Sequence, residues 1–366
     1  MITPRDEVVH TPRAEHGGRN ALEHTDGLDV RRDFSVCLNA FGPADVVTRA
    51  VRNAPLDEYP DPKNRAPRHA AAKHWDLPAE EIIFGAGAAE LIHAACFAFV
   101  RRNDSVAIAG PSFGEYARAA QLCGARVMRV PLTIGGDARD FAERITVLRP
   151  RIVFIASPVS PTGEVVPTDA LEEIAGACAM IDALLVLDQA YDAFCEHSLG
   201  RPALIGHPSV LHLHSLTKEH ALAGVRAGFG MTSREVARAI EAVRIPWAAS
   251  AQSQAAAVAC FTDSAQSHVA RTTSMLRTER ARIVAACAQR GIETRPTATH
   301  FFLARVNDAP NATSRLREEH GILVRDCTSF GLPQWVRIAA RTPDDNDYLI
   351  DALGTLSPQV VHRTAV

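Results

Sequence analysis

Ser215-Leu216-Thr217-Lys218, followed by Gly224-Val225-Arg226-Ala227-Gly228, is the stretch on which the reading of this chain turns. Lys218 is one of three lysines, with Lys63 and Lys73, in a sequence whose lysines and arginines together number 39. Arginine supplies positive charge almost everywhere else. A lysine kept at this place points to a task that needs a primary amine able to lose its proton. Guanidinium cannot form a Schiff base, whereas an ammonium with a depressed pKa can. The hydroxyl three residues before that amine and the arginine eight after it suit a phosphate held beside it. Taken alone, the tetrapeptide also fits a surface lysine at a helix start.

A chain of 366 residues has room for two domains, or for one large domain with an appendage. Its 47% hydrophobic and 22% charged residues are ordinary for a soluble globular enzyme. A net charge of -3 gives no reason to expect nucleic acid or an anionic membrane as partner. No apolar run approaches a bilayer span, and the first eighteen residues are polar and charged, unlike a secretory signal, so the expected location is the cytoplasm. The cysteines (Cys37, Cys96, Cys123, Cys178, Cys195, Cys260, Cys287 and Cys327) are scattered, with no C-x-x-C pair. That pattern suits buried free thiols in a reducing compartment, not a disulfide frame or a zinc site. His212 and His214 alternate on an expected strand without a matching cluster, and no metal site is expected.

The middle of the chain alternates short apolar runs with helical patterns, which predicts a parallel sheet wrapped by helices. Strands are expected at 82–84, 105–109, 126–130, 152–156, 184–187, 210–214 and 227–231, and helices at 88–99, 114–123 and 168–180, the last with Thr168 as N-cap. The alanine-rich stretch 250–290 reads as a helical bridge. Beyond it, strands at 301–306, 322–325 and 335–339 and a helix at 312–320 predict a smaller α+β unit. The expected division is a segment 1–43 that packs on the small unit, a large domain 44–255, and a bridge with small domain 256–366.

Asp188 ends the apolar run Leu184-Leu185-Val186-Leu187, at the edge where α/β sheets place their ligands. A carboxylate there can pair with a pyridinium while Tyr191 reaches the ring's O3′. An aspartate capping a turn is the ordinary alternative. Gly85-Ala86-Gly87-Ala88-Ala89 lies between a strand and a helix, so its amides can converge on an anion. Phe113 follows another strand end and can stack on a ring face, though a core phenylalanine reads the same way. Together with Lys218, Ser215 and Arg226, these residues describe a site for pyridoxal 5′-phosphate (PLP), whose pyridinium is a strong electron sink. A dinucleotide-binding dehydrogenase also fits a doubly wound sheet. It is disfavoured by Glu90 in the place of the last glycine and by the lack of a strand-end acid about twenty residues on.

At this point the chain resembles, over nearly its full length, the fold-type I PLP enzymes of the class I/II aminotransferase family, and within them the histidinol-phosphate aminotransferase and threonine-phosphate decarboxylase branch. The resemblance is carried by Asp33-Phe34-Ser35 with Asn39 and Gly42, Tyr59-Pro60-Asp61-Pro62, Gly85 to Ile92, Pro111 to Tyr116, Ser160-Pro161-Thr162-Gly163, Asp188-Gln189-Ala190-Tyr191, Ser215 to Gly228, Val324-Arg325-Asp326-Cys327 and Arg337 to Asn346. It implies an α/β fold in which a large domain with a mostly parallel seven-stranded sheet adjoins a smaller α+β domain. It also implies roles for single residues. Lys218 carries the Schiff base and shuttles a proton; Asp188 holds the pyridinium; Tyr191 donates to O3′; Phe113 stacks on the ring. Gly87, Ala88, Ala89, Ser215 and Arg226 hold the phosphate, joined by Tyr59 from the other subunit of a homodimer. Arg337 holds a substrate carboxylate, Arg325 meets a second anion, and Asn39 lies on the substrate side.

Several family positions differ. Ser160 stands for the asparagine before Pro-Thr-Gly that donates to O3′, and Ser157 replaces an earlier one. Cys37, Ala40, Ala89 and His300 are further changes, and they gather around the substrate. The motif set leaves three outcomes on one scaffold: transamination, which dominates it, decarboxylation of a phosphoamino acid, and oxidation or cyclisation of an amino acid.

Overall fold

The computed structural model describes residues 2–19, 30–132, 138–196 and 204–356. After a two-residue strand β1 (Arg32–Asp33) come the strands of the largest sheet: β2 (Ile82–Gly85), β3 (Ser105–Gly110), β4 (Arg126–Pro131), β5 (Ile152–Ala156), β6 (Leu184–Asp188), β7 (Val210–His214) and β8 (Gly228–Met231). Their order is β2-β8-β7-β6-β5-β3-β4. All neighbours are parallel except β8, which runs antiparallel to both β2 and β7. Strands β5, β6 and β7 are buried along their whole length. Helices on both faces explain why they read as unbroken apolar runs instead of alternating ones. Leu184 and Val186 pack with Leu91 and Phe154 on one face, while Leu185 and Leu187 pack with Phe141 and Ile174 on the other.

This topology sends several strand ends to one edge. The carboxyl ends of β5, β6 and β7 lie together, with Ala156 opposite Asp188 and Asp188 opposite Leu213. Because β8 is reversed, its amino end at Gly228 joins them and pairs with Gly85 at the carboxyl end of β2. Such an edge is where open α/β sheets bind ligands.

The remaining strands are β9 (Phe301–Arg305), β10 (Ile322–Leu323), β11 (Arg325–Asp326) and β12 (Trp335–Ala339). An antiparallel sheet has the order β11-β12-β9, and β10 pairs in parallel with β1. The single strand expected over 322–325 is therefore divided, because Ile322–Leu323 bonds to the N-terminal segment and Arg325–Asp326 to β12. The bridge is two helices, Ala251–Cys260 and Asp263–Gln289, the first capped by Ser250 accepting from the Ser253 amide. Pro167, not Thr168, is the N-cap of the helix Thr168–Met180. An N-cap needs no amide donor, so proline is tolerated there. The helix expected from 312 starts at Ala309, where Asp308 caps it by accepting from Asn311 and Pro310 fits the first turn.

The N-terminal segment divides its contacts. Phe34 is buried in the small unit's core, and its amide donates to Leu323. The helix Asp6–His10 instead lies on the large sheet's helices: Arg5 donates to the Leu122 carbonyl, and Glu7 pairs with Arg102 at 2.7 Å. The expectation that the whole segment packs on the small unit is corrected by these polar contacts.

Candidate active site

At the shared strand edge a cavity of about 410 Å³ opens. Lys218 reaches it from the short helix Leu216–Glu219 that follows β7, and its Nζ lies 5.8 Å from the centre of the Tyr191 ring. Burial holds the Lys218 pKa below the usual lysine value; Arg337 and Arg226 act in the same direction, Cys37 and Asp188 against it. A buried amine near cations is poised to be neutral and nucleophilic.

Asp188 stands at the carboxyl end of β6. Its Oδ1 accepts from the Ala190 amide at 3.0 Å and its Oδ2 from the Tyr116 phenol at 2.6 Å. Burial raises its pKa, while these two donors and Lys218 oppose the shift. A buried carboxylate with two donors is well placed to hold a protonated ring nitrogen. Tyr116 stacks on Phe154 and meets Phe113 edge-on. Phe113 and Tyr191 both line the cavity.

Across the cavity, the helix Ala88–Phe99 begins at Gly87, whose φ of 91° suits glycine. A Cβ on Gly87 would come within 2.9 Å of Arg226 Nη2, and one on Gly228 within 2.7 Å of the Ala88 amide nitrogen. Ala88, Ala89, Ser215, Thr217 and Arg226 line this end. A guanidinium, two hydroxyls and a helix start converging on bare backbone form a cradle of the size and charge of a phosphate. The residues present fit PLP: phosphate cradle, amine and buried acid open on one space.

The opposite wall comes from the small unit. Arg337 Nη1 donates to Ser160 Oγ and Nη2 to the Ser35 carbonyl, both at 2.7 Å, with the guanidinium 5.5 Å over the Phe301 ring. Arg325 is its cross-strand neighbour, Arg325 on β11 facing Arg337 on β12. Arg325 donates to Ser329 Oγ at 2.9 Å and to the carbonyls of Glu15 and His16. The strap Glu15-His16-Gly17 thus lines the cavity, and His16 also bonds Glu115 at 3.0 Å.

Of the residues singled out from sequence, the structure brings together Lys218, Asp188, Tyr191, Ala88, Ala89, Phe113, Ser160, Ser215, Arg226, Arg325 and Arg337 around this cavity, with Gly87 directly behind Arg226. One reading changes. Asn39, expected beside substrate, is outside the lining and bonds the backbone at Glu219 and the Thr272 hydroxyl. Ser160 lines the cavity and accepts from Arg337, which leaves its own proton to be donated. Tyr59, expected at the other subunit's site, is 84% exposed and leans on Trp247. Sequence reasoning missed Tyr116, Glu115 and the strap. Tyr116 lay inside a quoted motif but was passed over for Phe113, and nothing local marks a strap that folds in from more than 200 residues before Arg325.

A family profile described as Aminotransferase class I and II matches residues 37–353. The chain belongs to that family. Histidinol-phosphate aminotransferase of Haloarcula marismortui is 30% identical over 98% of this chain and 99% of its own length. The protein of that name from Halorubrum lacusprofundi is 31% identical over 93% of each. Among solved structures, histidinol-phosphate aminotransferase from Sinorhizobium meliloti in complex with pyridoxal-5′-phosphate superposes with a TM-score of 0.87 at 25% identity, over 96% of each chain. This aminotransferase is a fold-type I, PLP-dependent enzyme acting on an amino-acid-like substrate.

Proposed function

We propose that this aminotransferase moves an amino group from an anionic donor of the histidinol-phosphate kind to a 2-oxo acid that bears a second carboxylate. The observation that carries this reading is the pairing of Arg325 and Arg337 across β11 and β12, both facing the cavity. Like charges directly opposite on a sheet are unfavourable. An anionic ligand relieves that cost, and two guanidinium groups suit two anionic groups. The relatives named above are called histidinol-phosphate aminotransferases, which supports the same substrate class.

When bound, PLP supplies an electron sink for charge at the substrate's Cα. Lys218 would hold the coenzyme, and its amine would accept and return the proton at the substrate's Cα. Burial, which lowers its pKa, favours the neutral amine that such a role requires. Asp188, steadied by Tyr116, would keep the ring nitrogen protonated. Tyr191 would donate to the ring oxygen, Phe113 would cover the ring, and Gly87, Ala88, Ala89, Ser215 and Arg226 would hold the phosphate. Arg337, oriented by Ser160 and Ser35, takes one substrate anion and Arg325 the other. The strap carbonyls now on Arg325 yield to that second anion.

The same reading includes a homodimer in which Tyr59 completes the phosphate site of a second copy. Tyr59, Leu56, Ile245 and Trp247 are all exposed, an apolar group suited to burial against another chain. The division at residues 43 and 255 into N-terminal segment, large domain and small domain belongs to this reading too. So does a cytoplasmic location, supported by the free state of the cysteines and by the lack, among the described residues, of a helix long and apolar enough to cross a membrane.

The test is incubation of the PLP-loaded protein with histidinol phosphate and a panel of amino acids, each with 2-oxoglutarate. Glutamate formed with the phosphorylated donor supports the proposal. Carbon dioxide without glutamate, or oxygen uptake, replaces it with decarboxylation or oxidation.

A further inference from the structure

The geometry points to Asn39 as the positioning residue for Lys218, acting through the lysine's own backbone. Lys218 sits on a helix of four residues, Leu216–Glu219. So short a helix is marginal by itself, and the chain that follows closes it with two bonds, from the Ala221 amide to the Lys218 carbonyl at 3.3 Å and from the Leu222 amide to the Thr217 carbonyl at 3.0 Å. Beyond it the chain turns away at Ala221, whose φ is 56°. Asn39 adds a shorter bond to the Lys218 carbonyl and reaches the Glu219 carbonyl from 180 residues away. Its backbone amide donates to the Lys218 carbonyl at 3.0 Å, and its side-chain Nδ2 donates to the Glu219 carbonyl at 2.9 Å.

The orientation of the side-chain amide follows from its surroundings. The Glu219 carbonyl can only accept, so the nitrogen must face it. Nδ2 also reaches Thr272 Oγ1 at 2.7 Å, and that hydroxyl spends its own proton on the His268 carbonyl at 2.8 Å. Oδ1 accepts from the Phe41 amide at 3.2 Å. Asn39 is 2% exposed and Thr272 equally buried. No substrate-facing donor remains on this side chain, which separates it from a binding residue.

The clamp has a second end. Four residues earlier, the Ser35 carbonyl accepts from Arg337 Nη2 at 2.7 Å. One stretch of chain, 35–39, therefore holds the arginine of the substrate wall and the backbone of the lysine. Four residues span at most about 14 Å, so the stretch acts as a gauge that fixes how far apart the two groups stand. Asn39 keeps the lysine end of that gauge engaged, so that Lys218 meets the substrate carbon in register.

The inference rests on the proposed role of Lys218, and its test separates the two. Asn39→Asp keeps the shape but removes both side-chain donors; Thr272→Val removes the outer anchor alone and serves if the first variant does not fold. Hydrogen exchange is followed on the full chain with and without PLP, alongside steady-state kinetics of the PLP-loaded protein. In Asn39→Asp, amides of residues 216–222 should exchange faster, and kcat should fall about tenfold to a hundredfold with little change in the KM of the amino donor. Thr272→Val should lie between this variant and the unaltered protein on both readouts. Unchanged exchange over 216–222 in both variants overturns the inference. So does faster exchange with undiminished kcat, or a rise in KM at constant kcat, which marks a lost substrate contact. If the unaltered protein transfers no amino group, the proposed function fails, while the exchange measurement still decides whether Asn39 clamps the lysine segment.

Discussion

The phenol of Tyr116 donates a 2.6 Å hydrogen bond to Asp188, a carboxylate 72 residues further along the chain. Both groups are buried, at 1% and 7% exposure. The phenol stabilises the charged form of an acid that burial drives toward neutrality. In the proposed reading Asp188 stays ionised to hold a pyridinium, and Tyr116 would support the coenzyme through it.

Tyr116→Phe removes that bond and pushes the Asp188 pKa higher still. A hydrogen bond to a charged group is worth about 1.5–3 kcal/mol, so PLP should bind about tenfold or more weakly. The protonated acid is the form that loses the coenzyme. Its raised pKa therefore makes the loss grow as pH falls, beginning at a higher pH than in the unaltered protein. Equilibrium titration of the coenzyme between pH 6 and 8 measures this; equal affinity at all pH values would remove Tyr116 from the site.

Lys218→Ala should leave a protein whose coenzyme is not trapped by borohydride on the segment 216–222. Turnover should fall by about a thousandfold, the scale of losing a positioned acid–base group. Peptide mapping of the reduced protein is the decisive measurement. An adduct on Lys63 or Lys73 in the unaltered enzyme would contradict the assignment.

Arg325→Ala and Arg337→Lys should separate the two anion positions. Arg337→Lys loses the bidentate fork and should raise KM for every amino donor. Arg325→Ala should raise KM more for a donor with a second anion than for a donor without one. Ser160→Ala, which removes one neutral partner of Arg337, should cost about 0.5–1.5 kcal/mol of substrate binding. Equal effects of Arg325→Ala on both kinds of donor would exclude Arg325 from recognising the second anion.

Stability should fall on acidification from the histidines of the interior. Burial lowers the pKa of His212 to about 4, of His214 to about 3 and of His300 to about 3, from an ordinary 6.5. The folded values lie below the unfolded one, so the unfolded chain binds more protons between these limits. The stabilisation is fully present above pH 6.5 and is lost as pH drops toward 3. At pH 5 each such group costs about 2 kcal/mol. His214 stacks on Phe229 at 5.0 Å and lies 5.4 Å from Trp75. His214→Phe should keep those ring contacts and make stability at pH 5 closer to that at pH 8, as read by denaturant titration. An unaltered acid limb would mean that His214 is not held neutral in the fold.

The residues of the chemistry differ in how they announce themselves. Lys218 and Asp188 were legible in sequence, because each is chemically conspicuous: a lysine where arginine is the rule, an acid closing an apolar run. The central strands were legible because burial on both faces leaves four or five apolar residues in a row. The division of residues 322–325 was not, since a two-residue strand has no period, and its pairing depends on which backbone happens to lie beside it. Asn39 was expected on the substrate side, whereas its side chain bonds the Glu219 carbonyl and the Thr272 hydroxyl. A short polar side chain finds whichever donor or acceptor lies within about 3 Å, and that is set by packing.

The sequence by itself pointed to Lys218, Asp188, the glycine-rich turn at Gly85 to Ala89 and the alternation of strand and helix that carries them, because those features rest on side-chain chemistry and on burial pattern along a local stretch. Only the tertiary structure decided that Arg325 stands opposite Arg337, that Tyr116 serves Asp188, that the strap at Glu15 and His16 covers the cavity and that Asn39 caps the lysine helix. Each of these joins residues 12 to 310 positions apart through hydrogen bonds or cross-strand register. Such pairings exist only once the hydrophobic clusters have fixed where the backbones lie.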